Sequence, residues 1–132
     1  MSVAACAPEV PTLVLEPDDR APGRARRFVA EHFRAWEVRD DYTARLVVSE
    51  LVTNAYRHGE GAIVVRVFVD ERDWLPVIEV WDAGEGRPVV RSENRAATGG
   101  RGLLLMSGMV HAWGVRPLNE GGKVIWAKCA AC

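Results

Sequence analysis

The stretch between Asp41 and Gly59 constrains this chain more than any other. Ala44, Val47, Val48, Leu51, Val52 and Ala55 recur at the i, i+3, i+4, i+7, i+8, i+11 spacing of one helical face. The pattern predicts a helix capped by Asp40 or Asp41, running to about His58 and stopped by Gly59. A helix with such a stripe must bury it against a second layer. Two β-rich runs supply that layer immediately afterwards, at residues 63–69 and 77–81. The polar stretch Asp70-Glu71-Arg72-Asp73, with Trp74 and Pro76, joins them as a hairpin loop.

The remaining elements fit around this helix and hairpin. Residues 12–16 read as a short strand, and Pro17-Asp18-Asp19 brings turn and N-cap chemistry before a helix over residues 21–36. Ala25, Phe28, Val29, Phe33 and Trp36 form its apolar side, while Arg20, Arg24, Arg26 and Arg27 read as a solvated face. Residues 103–110 are apolar nearly all round, as in a short buried helix. Two last strands are expected around residues 111–115 and 123–129, separated by a turn with Asn119-Glu120-Gly121-Gly122. Helices and strands come in blocks and do not alternate, so the expected class is α/β in the broad sense, an α+β two-layer sandwich. Its helices lie on one face of a mixed, mostly antiparallel sheet.

Length and charge then narrow the function. The 132 residues allow one domain, read here as residues 12–129, with a disordered arm at 1–11 and a tail at 130–132. A net charge of -1 argues against bulk electrostatic gripping of nucleic acid or an anionic membrane. No apolar run approaches the ~18 residues that a membrane span needs, and the first residues lack the parts of a signal peptide, so the expected location is cytoplasmic. Cys6, Cys129 and Cys132 are an odd number placed at the chain ends, a poor disulfide framework. Cys129 and Cys132 have the spacing of a metal or redox pair, but no second pair completes a zinc site and the two end the chain after a strand.

Three motifs carry chemistry. Glu50 and Asn54, four residues apart, project from one side of the second helix, with Asn54 bordering the apolar stripe. A carboxylate beside an amide oxygen suits hydrated Mg²⁺, and the carboxylate can also accept a proton from an attacking hydroxyl. Asp82-Ala83-Gly84-Glu85-Gly86 follows a strand, where an acidic group flanked by glycines can accept from an exocyclic amine while backbone approaches a flat ligand. Gly99-Gly100-Arg101-Gly102-Leu103 runs into the expected helix, with exposed N–H groups and a guanidinium suited to phosphate. Between the second and third motifs, periodicity disappears across residues 82–101, which is the mark of a functional loop. Each motif alone has an ordinary structural explanation.

Their order is more specific. An E-x-x-x-N-A helix, a D-x-G-x-G turn after a strand, a lid and a G-x-G-L helix start resemble the GHKL ATPases, the superfamily of gyrase B, histidine-kinase catalytic domains and heat-shock chaperones. Within it, the wording Val48-Ser49-Glu50-Leu51-Val52-Thr53-Asn54-Ala55, His58 and the ending Gly121-Gly122-Lys123-Val124-Ile125-Trp126 are similar to the small anti-sigma factor serine/threonine kinases. The resemblance covers residues 12–129 and implies a Bergerat-type ATP-binding fold with a lid at about 84–101. It implies that Asn54 ligates the Mg²⁺ bridging the ATP phosphates and that Glu50 orients or deprotonates the attacking hydroxyl. Asp82 would fix the adenine amine, and Gly84 and Gly86 would shape its pocket. Gly100, Arg101 and Gly102 would hold phosphate. His58 would touch ribose or phosphate, against the alternative of a residue serving only the helix C-terminus.

The implied partner is an anti-anti-sigma protein bearing a serine and, in some members, a sigma factor, with a homodimer as the assembly. No direct contact with nucleic acid or membrane is implied. A regulatory module that uses ATP only to set its lid and sequester a partner is the alternative to a kinase.

Overall fold

The computed structural model describes residues 10–38, 40–84 and 108–129. They form β1 (Thr12–Leu15), α1 (Ala21–Ala35), α2 (Tyr42–His58), β2 (Ile63–Asp70), β3 (Leu75–Asp82), β4 (Ala112–Pro117) and β5 (Lys123–Lys128). The strands make one sheet in the order β1-β2-β3-β5-β4, and every pair among the described residues is antiparallel. The expected helix-on-sheet sandwich is therefore present, with an antiparallel sheet. No described helix is long and apolar enough to cross a membrane.

The periodicities of the sequence assign the two faces. Ile63, Val65 and Val67 of β2, Ile78 and Val80 of β3, and Ile125 and Ala127 of β5 lie in one core with Leu15. The helices cover that face with Ala25, Val29 and Phe33 of α1 and with Val47, Val48, Leu51, Val52 and Ala55 of α2. The α2 stripe thus packs as its spacing requires. Burying a Leu or Ile side chain contributes about 1.5–3 kcal/mol, so this shared layer holds the fold together. On the opposite face Arg66 and Arg116 flank Glu79, with N–O distances of 3.4 and 3.3 Å.

Local details adjust three expectations. At α1 the N-cap position is Arg20, and Asp18 acts two residues earlier, its carboxylate accepting from the Arg20 N–H at 2.9 Å. At α2 the two candidate caps divide the work. Asp41 occupies the N-cap position and pairs with Arg45 at 3.0 Å, while the Asp40 carboxylate accepts from the Tyr42 N–H. Pro76, expected in the hairpin loop, lies inside β3, opposite Val69, with its carbonyl accepting from the Cys129 N–H. The arginine face of α1 is exposed, although Arg26 donates to Ser49 on α2 at 2.8 Å.

Candidate nucleotide site

The site begins where sheet alternation breaks its own rule. On β3 the core-facing positions are Ile78, Val80 and then Asp82; on β5 they are Ala127, Ile125 and then Lys123. Asp82 and Lys123 are direct cross-strand partners in the register of this pair. Two ionisable residues therefore occupy the last core-face positions of two adjacent strands, where period-two patterning would place apolar side chains. Both are buried, Asp82 to 1% and Lys123 to 4% exposure. Lys123 Nζ donates to Asp82 Oδ1 at 3.0 Å and to the Gly84 carbonyl at 3.4 Å, and the Gly84 N–H donates to the same Oδ1 at 2.7 Å.

Three glycines let backbone close in on this carboxylate. A Cβ on Gly59 would lie 2.5 Å from Asp82 Cγ and 2.6 Å from the Ala55 carbonyl oxygen. The φ of Gly59 is an ordinary −94°, so space and not backbone freedom requires glycine there. At Gly84 a Cβ would come within 2.9 Å of Asp82 Oδ1 and 3.1 Å of Gly59 Cα. Gly122 has φ +85°, and a Cβ there would sit 2.5 Å from the Asp82 carbonyl oxygen, so both conformation and contact exclude a side chain. The Ala83 N–H donates to the Glu60 carbonyl at 3.0 Å, fastening the end of β3 to the chain leaving α2.

Helix α2 thus presses its C-terminal end onto Asp82 and carries the other motif residues back from there. At 1.5 Å per residue, Asn54 lies about 8 Å and Glu50 about 14 Å from Gly59 along the helix axis. Asn54 is buried to 8% exposure and Glu50 is half-buried. His58 is exposed in the last turn of α2. Of the sequence candidates, Asp82 and Gly84 meet directly, and Asn54 and Glu50 share their helix support. Gly86, Gly100, Arg101 and Gly102, nearly all of the lid and most of the short helix expected at 103–110 lie outside the described residues.

Sequence reading missed Lys123 and Gly59. Lys123 stands in a run quoted for its resemblance and received no role, and Gly59 was read only as a helix stop. The signal for Lys123 was present: counted back from Ala127 and Ile125 in steps of two, it falls on the buried face. The terminal cysteine spacing leads nowhere on the described side. Cys129 is buried, and burial pushes its thiol up to about 11, away from the reactive thiolate that a redox pair needs.

The sequence profile of the histidine kinase-like ATPase domain matches residues 15–129. This chain belongs to that family. The histidine kinase-like ATPase match begins at the last residue of β1 and runs through β5, so it includes both helices, β2 to β5 and both members of the Asp82–Lys123 pair. The fold is also that of a solved structure of the RsbU and RsbW domains of Rv1364c from Mycobacterium tuberculosis. The two share 21% identity at a TM-score of 0.68 over 95% of this chain and 33% of that one. The chain therefore spans about one third of the length of the protein it superimposes on. A comparison with curated proteins gave no match. A histidine kinase-like ATPase domain of this type implies ATP binding.

Proposed function

We propose that this chain is an ATP- and Mg²⁺-dependent serine/threonine protein kinase of the anti-sigma factor type. It would act in the cytoplasm on a serine of a separate anti-anti-sigma protein and so control transcription indirectly. One observation carries the reading: α2 holds the buried Asp82 against its C-terminal end and bears Asn54 and then Glu50 at increasing distance from it. The order along the helix is that of base, bridging phosphates and terminal phosphate in one extended nucleotide.

Each residue then has a task set by its chemistry. Asp82 accepts from the exocyclic amine, and the close backbone at Gly59 and Gly84 leaves the base a flat surface. Asn54 offers an amide oxygen to Mg²⁺. The ion would take other ligands from phosphate and water. That matches the reluctance of Mg²⁺ to shed its hydration shell. When bound, the ion neutralises charge on the phosphates during transfer. Glu50 orients the partner's serine hydroxyl and takes its proton.

The proposal is tested with radiolabelled ATP, Mg²⁺ and small serine-bearing anti-anti-sigma proteins from the same genome. Wild type should label serine on one of them, and Glu50→Gln should abolish labelling while ATP binding persists. A wild type that binds ATP and captures such a partner without ever labelling it would replace the kinase with the sequestering module.

A further inference from the structure

The buried ion pair has a second member, and its chemistry goes beyond holding a carboxylate. A buried salt bridge is a poor stabiliser, because desolvating two ions offsets most of their attraction and an apolar pair of similar volume does as well or better. Lys123 and Asp82 nevertheless stand at core-facing positions of two paired strands, within a collar of glycines that brings backbone up to the carboxylate. An ammonium carries three N–H donors. Among the described residues, Asp82 Oδ1 and the Gly84 carbonyl account for two of them, at 3.0 and 3.4 Å. The donors that described residues bring to Asp82, from Gly84 and Lys123, both fall on Oδ1.

Resting on the assignment of Asp82 to an adenine amine, we propose that Lys123 is a specificity-determining residue that reads the same edge of the base. Adenine presents an N–H donor on its exocyclic amine directly beside an acceptor at ring nitrogen N1. A carboxylate beside an ammonium is the complement of that pair. The amine donates to Asp82 Oδ2 while the third N–H of Lys123 donates to N1. Asp82 holds the ammonium by Oδ1 before the base arrives, so the donor needs no reorganisation on binding.

The test compares ATP with 1-deaza-ATP, in which C–H replaces N1, by calorimetric titration of the intact chain. Hydrogen bonds to charged groups are worth roughly ten- to a hundred-fold in affinity, so wild type should bind 1-deaza-ATP weaker by about that factor. Lys123→Met should bind the two nucleotides equally, and Lys123→Arg should restore part of the preference. Equal binding of both nucleotides by wild type overturns the proposal without any variant having to fold. So does a Lys123→Met protein, folded by circular dichroism, that keeps the full preference. Asp82→Asn separates the two assignments. If it leaves ATP affinity unchanged, the adenine site itself is wrong; if it removes ATP binding while wild type ignores the N1 substitution, only the role of Lys123 is.

Discussion

Strand β5 carries a lysine at each end, and the two meet carboxylates in opposite settings. At its start Lys123 pairs with Asp82 inside the core; at its end Lys128 reaches Asp70 at 2.9 Å and Asp73 at 2.8 Å at the rim of the β2–β3 hairpin. Arg72 joins the second cluster at 2.8 Å with most of its side chain in water. The hairpin cluster has a structural purpose that its surroundings explain. It closes a four-residue turn in which Trp74 adopts φ +60°, and its carboxylates also accept from the Arg72 and Leu75 N–H groups. The buried pair also fastens a short bend, through the Gly84 N–H and carbonyl, but it lies where alternation calls for apolar side chains. Identical ionic partners thus stand at a water-exposed loop at one end of β5 and inside the core at the other.

The sharpest contrast is expected on removing each lysine. Lys123→Met leaves the Asp82 carboxylate buried without its counter-ion, which costs about 3–5 kcal/mol, a loss visible in urea denaturation. Lys128→Met should move the midpoint far less, since water reaches that cluster. Equal shifts would break the comparison. Next comes Gly59→Ala. Its Cβ must displace the Asp82 carboxylate or the Ala55 carbonyl, so about 1–3 kcal/mol of stability and most nucleotide affinity should go together.

A smaller effect separates the two ends by pH. Hydrogen bonds from Arg72 and Lys128 hold the Asp70 carboxyl well below the usual range, and the bond from Lys128 also lowers that of Asp73. A carboxyl whose folded pKa is depressed contributes stability above its unfolded value and loses it as pH falls through the folded one. The hairpin should therefore loosen below about pH 4, read as lost hydrogen-exchange protection at the Arg72 and Leu75 amides relative to intrinsic rates. Salt should weaken it in the same direction. The smallest expected signal is at Cys129, whose buried thiol stays neutral with its pKa raised to about 11. Native protein at pH 8 should leave it unalkylated in a peptide map, and labelling should appear only as the sheet unfolds.

Much of this was legible from residue order. The α2 stripe needed one helical period to place Val47, Leu51 and Ala55 against the sheet, and the β2 and β3 runs needed only their β-branched residues. Asp82 was legible because a carboxylate and glycines at a strand end form a local pattern. Lys123 was not, because its meaning depends on which strand lies beside β3, and β5 begins some forty residues later in the chain. Gly59 escaped for a related reason: an ordinary helix stop and a surface pressed against Asp82 look alike until the end of α2 is placed over β3. Pro76 shows the reverse error, since local chemistry marked it as a breaker where cross-strand pairing admits it.

The central claim, that the buried Asp82 is the base-recognition group of an ATP site, is tested most directly by calorimetric titration of ATP with Mg²⁺ into wild type and Asp82→Asn. Wild type should bind with micromolar or better affinity, and the nearly isosteric variant, folded by circular dichroism, should lose at least about ten-fold, the cost of one charged hydrogen bond. Equal affinities in the two proteins, or no binding by wild type, would contradict it.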